Sequence, residues 1–321
     1  MPTPLKKILD DLKKTYGEGT ILDFSKDERI AVETITTGLP SLDFILGGGI
    51  PKGRIIEIYG TEGSGKTTMG LTILSKCQEK GKKVCFIDAE NSFDPAYAEK
   101  IGVNLNNLLL NQPNSGQEAL NIVEKLCQSG EVSVIVIDSV ANLVPQADLN
   151  KEIGDSSNIG SRARMLSELL PRLSTEARKT GTTLVFINQI RFKIGEIYGN
   201  PMTTPGGMAL KFNASLRVEV HASKEEEQNG KTGVKVTVRV RKNKIARPFR
   251  KTELFLELGI GFDVFTDLIE TAITAGVIEQ KGAWYVYGDL KCQGFEELLA
   301  KLTENDKLKK EIEQKLLTIK I

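Results

Sequence analysis

From about Val32 onward, short runs of consecutive apolar residues alternate with longer stretches whose apolar positions return every three or four residues. Segments 54–59, 83–88, 132–138 and 183–188 are of the first kind, and 67–79, 117–128 and 164–179 of the second. A strand that is apolar at successive positions is buried on both faces, so the pattern predicts a mostly parallel sheet covered by helices on each side. Segment 235–240 instead alternates apolar and polar residues, as a half-exposed antiparallel strand does. Ahead of this region, Leu5, Ile8, Leu9 and Leu12 recur at helical spacing between Thr3-Pro4, which suit a helix start, and Gly17, which stops it. The apolar stripe on that helix must be covered, either by the chain's own core or by a neighbouring subunit. Beyond Phe265 the chain becomes helical and charged, with a strand-like Trp284-Tyr285-Val286-Tyr287. The expected organisation is α/β, with a small N-terminal helical part (1–31), a large core (32–265) and a small C-terminal α/β appendage (266–321).

Composition narrows the chemistry. With 43 basic and 42 acidic side chains the net charge is +1, so any surface for nucleic acid must be a local patch. A single histidine, His221, rules out a multi-histidine metal site and leaves room for at most one histidine-based triad, so the chemistry is expected to rest on carboxylates, lysines and a bound metal. The four cysteines (Cys77, Cys85, Cys127, Cys292) lack C-x-x-C spacing and read as small hydrophobes. No run approaches the roughly 18 apolar residues of a membrane span, and the first residues lack the apolar core of a signal peptide. A cytoplasmic protein with no membrane partner is expected.

Gly60-Thr61-Glu62-Gly63-Ser64-Gly65-Lys66-Thr67 follows a predicted strand and opens a predicted helix, with Thr68 next in line. This is the G-x-x-x-x-G-K-[ST] pattern of a phosphate-binding loop. Its glycines let backbone N–H groups converge on phosphate oxygens, Lys66 reaches the β/γ-phosphates, and Thr67 ligates Mg²⁺. The apolar strand Val134-Ile135-Val136-Ile137 ends in Asp138, beside Ser139, where a carboxylate holds the Mg²⁺ through water. Hydrolysis also needs a group to orient or deprotonate water. Asp88 and Glu90 both lie near the end of a strand, and Glu90 is preferred because it stands just beyond it. Gln189 follows another strand and is either a γ-phosphate contact or a plain polar strand cap.

Taken with Val32-Glu33-Thr34-Ile35-Thr36-Thr37-Gly38, Phe86-Ile87-Asp88-Ala89-Glu90, Ile153-Gly154-Asp155-Ser156, Phe186-Ile187-Asn188-Gln189-Ile190-Arg191 and Lys242-Asn243-Lys244-Ile245-Ala246, the chain resembles the bacterial RecA recombinase family over nearly its whole length. The resemblance implies a P-loop NTPase core of the RecA type, with ATP and Mg²⁺ as cofactors. It implies Glu90 as catalytic carboxylate, Gln189 as γ-phosphate sensor, and Asp94 and Tyr97 at the adenine, Tyr97 stacking on the base. It further implies that Lys242 and Lys244 reach the ATP of a neighbouring subunit, so that the site is complete only in a filament. Two segments are similar to the family's DNA loops. The first runs from about Glu152 to Arg164 and the second from Arg191 through Gly207. In them Arg164, Arg191 and Lys193 would neutralise phosphates, Ile159, Ile194 and Tyr198 would contact bases, and Gly206 and Gly207 would allow close approach. The implied partners are single- and double-stranded DNA, further copies of the chain in a helical filament, and a LexA-type repressor whose self-cleavage the filament promotes in the DNA-damage (SOS) response. The N-terminal helix and Phe212 would serve the subunit interface, and the C-terminal appendage would gather duplex.

The sequence departs from the family pattern at several points. The first loop is one residue longer, Pro171 interrupts a helix and is expected to kink it, and Met202, Pro205 and Met208 replace polar residues of the second loop. The chain ends without the family's common acidic tail, from which weaker self-inhibition of DNA binding is expected. Two competing readings are a ring-forming motor with the same core and a nucleotide-gated structural filament. The Lys242-Asn243-Lys244 segment speaks against the first, and the set Lys66, Thr67, Glu90 and Asp138 against the second.

Overall fold

The computed structural model describes residues 4–17, 21, 32–151, 160–192, 202–228 and 230–319. The chain forms two compact units, 1–33 and 34–321. In the first, helix α1 (Pro4–Tyr16) ends at Gly17, which takes a positive φ of 94°. None of its described side chains is buried, and Leu5 and Ile8 stand exposed on its apolar stripe.

The second unit is built on a nine-stranded sheet. Its strands in chain order are β1 (Ile55–Gly60), β2 (Lys83–Asp88), β3 (Leu108–Asn111), β4 (Val132–Asp138), β5 (Thr183–Gln189), β6 (Leu216–Gln228), β7 (Lys231–Asn243), β8 (Lys251–Glu257) and β9 (Gly261–Phe262). Across the sheet the order is β9-β8-β7-β6-β1-β5-β4-β2-β3. Strands β6, β1, β5, β4, β2 and β3 run parallel, and β7, β8 and β9 complete one edge with antiparallel pairing. The parallel strands therefore end together, and the loops leaving their C-terminal ends gather on one rim, where open α/β sheets collect ligands.

Apolar side chains on both faces explain the layering. Ile56, Ile58, Val134, Val136, Val185 and Ile187 face a core closed by helices α2 (Pro40–Leu46) and α3 (Lys66–Glu79). Ile55, Cys85, Ile135, Ile137, Leu184 and Phe186 face the opposite core, under α4 (Gly116–Ser129) and α5 (Ser161–Thr180). Pro171 does not end α5, which continues from Ser161 to Thr180. Proline's missing N–H and its ring fall on an exposed face there, and the next residue, Arg172, pairs with Glu124 of α4 at 2.9 Å. All four cysteines are buried and free, and burial pushes the Cys77 thiol up to about 11 and those of Cys85 and Cys127 up to about 12. They pack as hydrophobes.

Beyond the sheet, α6 (Val264–Thr274) leads into a three-stranded antiparallel sheet that contains Trp284–Tyr287, and two further helices close a separate small core around Leu268, Ile269, Leu298 and Ile312. The join to the large sheet is polar and buried. Asp267 of α6 accepts the Ser41 backbone N–H of α2 at 3.0 Å, and Asp43 of the same helix accepts from Thr37 N at 2.8 Å and from the Thr36 hydroxyl. Among the described residues no helix is long and apolar enough to cross a membrane.

Candidate active site

The loop between β1 and α3 takes its shape from glycines. Gly65 stands before the first residue of α3 with φ 80°, where a Cβ would meet Leu256 Cδ2 at 3.0 Å and Phe262 at 3.2 Å. The left-handed turn releases the first N–H groups of a 14-residue helix toward the rim, the arrangement that binds phosphate. Lys66 donates to the Thr61 carbonyl inside the loop and sits 3.5 Å from the Ser64 hydroxyl, so its ammonium already occupies the loop. Burial pulls the Lys66 ammonium below its ordinary value, while Asp138, Glu90 and Glu62 work to keep the charge. Thr67 donates its hydroxyl to Asp138 Oδ2 at 2.6 Å. Burial raises the Asp138 carboxyl to about 6, partly offset by that hydrogen bond. Two hard oxygen donors side by side at a phosphate loop fit Mg²⁺, which takes few protein ligands and completes its shell with water and phosphate oxygens.

A second group of side chains spans three strand ends. Glu90, two residues past β2, accepts from the Ser139 hydroxyl past β4 and from Gln189 Nε2 at the end of β5, the latter at 3.0 Å. Gln189 in turn accepts from Arg191 Nη2 at 2.6 Å. Asp88 has a different occupation. It is buried and accepts N–H bonds from Ser92 (3.2 Å) and Phe93 (3.0 Å) and a side-chain bond from Gln112 (2.9 Å), which fixes the turn carrying Glu90. Of the two carboxylates, only Glu90 faces the Ser139–Gln189 group.

Asp94 caps the short helix Pro95–Lys100, accepting from Ala96 N at 2.9 Å and Tyr97 N at 3.1 Å. That cap aims Tyr97 at α3, where its hydroxyl lies 2.8 Å from the Thr68 hydroxyl. Motif reading missed the wall beside them. Lys100 Nζ reaches the Gly259 carbonyl at 3.4 Å across 159 residues of sequence, and a Cβ on Gly261 would meet Ile101 at 2.6 Å. The β8–β9 turn therefore stands next to the Tyr97 helix, with Leu258 and Ile260 exposed. Those two residues carry no local signature of a site, because only the returning strand brings them there.

Lys242 and Lys244 lie elsewhere. In the register of the sheet Gly60 is level with Val220 and Val238, whereas Lys242 is level with Arg217 and Glu57. Three residues of β1 and of β6 separate the two rows (four on β7, which carries a bulge there), about 10 Å at roughly 3.3 Å per residue. Both lysines are therefore toward the end of the sheet away from their own phosphate loop. Lys242 donates to the Lys211 and Phe212 carbonyls at 2.8 and 3.1 Å, and burial together with nearby Lys244 lowers its ordinary value. Lys244 and Phe212 are exposed.

Of the expected DNA residues, Ile159, Lys193, Ile194 and Tyr198 lie outside the described residues. Arg164 is exposed in the first turns of α5. Gly206 and Gly207 abut the same turns, since added Cβ atoms would lie 2.6 Å from Leu166 Cδ1 and 2.9 Å from Ala163 Cβ. Arg164 and the end of the second segment thus share one surface, and Arg191 joins the other end of that segment to Gln189.

Known sequences match nearly the whole chain. The RecA N-terminal domain family matches residues 3–263 and the RecA C-terminal domain family residues 266–318. Proteins named Protein RecA from Thermus thermophilus, Aquifex aeolicus and Gloeobacter violaceus are 46%, 46% and 44% identical over 317, 315 and 314 residues. These alignments cover 98%, 97% and 97% of this chain and 93%, 91% and 85% of the respective relatives.

Proposed function

This chain belongs to the RecA family of DNA-dependent ATPases, which carry out ATP-dependent recombination, repair and strand exchange, and from that premise we propose how its residues divide the work. The loop Gly60-Thr61-Glu62-Gly63-Ser64-Gly65 and Lys66 grip the phosphates of ATP, and Thr67 with Asp138 holds Mg²⁺. When bound, the cation supplies positive charge to the phosphate oxygens. Glu90 orients the attacking water and accepts its proton, Ser139 holds Glu90 in place, and Asp94 with Tyr97 supports the base.

Gln189 contacts the γ-phosphate and passes its presence through Arg191 to the second DNA segment. The single observation that carries this reading is the chain Glu90–Gln189–Arg191, which joins the candidate hydrolytic carboxylate to the first residue of that segment. Once Gln189 turns toward a phosphate it must release Glu90 or Arg191, so nucleotide and DNA bias the same side chain.

The sheet register supports placing Lys242 and Lys244 at a neighbour's ATP, since neither is near its own loop. The exposed stripe of α1 and exposed Phe212 suit the subunit interface, and 1–31, 32–265 and 266–321 are read as the working divisions of the chain. Family membership supports a location in the cytoplasm and promotion of self-cleavage by a LexA-type repressor. The test is phosphate release with and without single-stranded DNA. DNA-stimulated release that Glu90→Gln abolishes supports the assignment, and release indifferent to DNA or to that substitution removes it.

A further inference from the structure

Asn188, the penultimate residue of β5, is fully buried, and its amide is bonded at both ends. Nδ2 donates to Glu57 Oε1 of β1 at 2.9 Å and to the Pro205 carbonyl at 3.1 Å, while Oδ1 accepts the Gln189 N–H at 3.0 Å. These partners decide which way the amide points. A carboxylate and a carbonyl only accept, so both need the NH₂ end, and the backbone N–H needs the oxygen. Glu57 is fully buried as well, and its other oxygen takes Arg217 Nε of β6 at 2.5 Å. A buried carboxylate must be paired and hydrogen-bonded, so Glu57 is gripped from two neighbouring strands and makes a fixed anchor.

The bonds of Asn188 meet at the root of the second DNA segment. That segment leaves and returns as a short antiparallel ribbon, with Arg191 level with Thr203 and Phe192 with Met202. Between the ribbon and the sheet, Asn188 ties the two arms together, the outgoing one at Gln189 and the returning one at Pro205. The Ile190 N–H donates to the Gly60 carbonyl at 3.1 Å, which pins the outgoing arm to the first residue of the phosphate loop. The returning arm suits its clasp. Proline has no N–H, so a carbonyl is all that its backbone can offer. Gly206 beside it turns with φ 91° against Leu166 of α5. With the backbone held at both arms, turning the Gln189 side chain toward a phosphate shifts Arg191 while Pro205 stays in place.

We propose that Asn188, anchored by Glu57, is a positioning residue for the coupling of ATP to DNA. It fixes the base of the ribbon, so that a change at Gln189 and Arg191 swings the second DNA segment instead of being lost as slack at its return. This role presupposes Gln189 as the γ-phosphate contact. Asn188 acts through Gln189 and Pro205, not on a phosphate or a base.

The experiment measures the affinity of the full chain for fluorescent oligodeoxythymidylate at one salt concentration, with and without Mg²⁺ and a non-hydrolysable ATP analogue. The ratio of the two affinities reads the coupling, and analogue affinity and urea unfolding are read on the same proteins. Asn188→Ala is expected to keep wild-type analogue affinity and to lower the ratio roughly fivefold or more. The exchange of Glu57→Gln with Asn188→Asp restores a donor–acceptor pair between positions 57 and 188 and an acceptor for the Gln189 N–H, but sets a carboxylate against the Pro205 carbonyl. It is expected to unfold at higher urea than Asn188→Ala, with the ratio still low. Should Asn188→Ala fail to fold, the exchange alone decides. A wild-type ratio in either variant, or a loss of analogue affinity as large as the loss of coupling, overturns the proposal. The control is Gln189→Ala. If its ratio collapses while the Asn188 variants keep theirs, the sensor reading stands and this role falls; if wild type shows no coupling, or Gln189→Ala keeps it, both fall.

Discussion

Gln189 donates to the Glu90 carboxylate at 3.0 Å although 99 residues separate the two in sequence. The contact joins the carboxylate proposed to act on ATP to the side chain held by Arg191, the first residue of the proposed second DNA segment. Replacing Glu90 by Gln should lower DNA-stimulated turnover by about 10²–10⁴-fold, the usual worth of a positioned general base, with analogue affinity retained. Steady-state hydrolysis paired with analogue titration checks this. A loss of affinity equal to the loss of turnover would contradict the role.

Replacing Gln189 by Ala should separate the two ligands rather than weaken either alone. Coupled sites typically alter one another's affinity by roughly 5- to 150-fold, and in Gln189→Ala that ratio should collapse toward one. The measurement is oligodeoxythymidylate affinity with and without the ATP analogue, at one fixed salt concentration.

The Thr67–Asp138 pair predicts a pH dependence for Mg²⁺. Burial holds the Asp138 carboxyl at about 6, and the cation binds only the ionised form. The sign follows directly. Mg²⁺ affinity should be nearly flat above that value and fall about tenfold per pH unit well below it. Asp138→Asn should bind Mg²⁺ more weakly and lose this dependence, as read from the Mg²⁺ concentration needed for half-maximal analogue binding.

The buried joint between α2 and α6 predicts a stability profile. Burial raises Asp267 to about 7, above its unfolded value, so the folded chain holds that proton more tightly. Its contribution to stability is fully present below the unfolded value, falls as pH rises through the window from about 4 to about 7, and stays lost above it. Asp267→Asn keeps an acceptor for Ser41 and removes the titration. Relative to wild type the variant should therefore gain a few kcal/mol at most, about one pKa unit's worth at a time, as pH rises through the window. Urea unfolding of both proteins at several pH values measures the difference.

Gly206 has φ 91°, and a Cβ there would lie 2.6 Å from Leu166 Cδ1. Gly206→Ala should cost about 1–3 kcal/mol through backbone strain and crowding. Because the strain falls where the second segment meets α5, DNA affinity should drop while analogue affinity holds.

The sequence made the central strands legible because they are apolar on consecutive positions, and 83–88 and 132–138 have the predicted bounds. Strand β3 escaped notice. It has only four residues, Leu108–Asn111, and as an edge strand it leaves Leu109 and Leu110 half-exposed, so neither periodicity nor length marked it. The phosphate loop was legible because its chemistry is local in sequence. The separate occupations of Asp88 and Glu90 were not, since they depend on Ser139, Gln112 and Gln189 arriving from three other places in the chain. The same holds for Leu258 and Ile260 beside Tyr97, and for the distance of Lys242 from its own loop, which is a matter of strand register. Non-local pairing decided each of these.

The central claim, that one subunit's Glu90 works with a neighbour's Lys244, is tested most directly by mixing two inactive variants on single-stranded DNA. Lys244→Ala retains Glu90, and Glu90→Gln retains Lys244, so in a head-to-tail filament some interfaces receive both intact halves. Equal random mixing makes roughly one interface in four complete, and hydrolysis should return to about a quarter of the wild-type rate. If the mixture stays as inactive as either variant alone, or if Lys244→Ala alone hydrolyses ATP normally, the shared site does not exist.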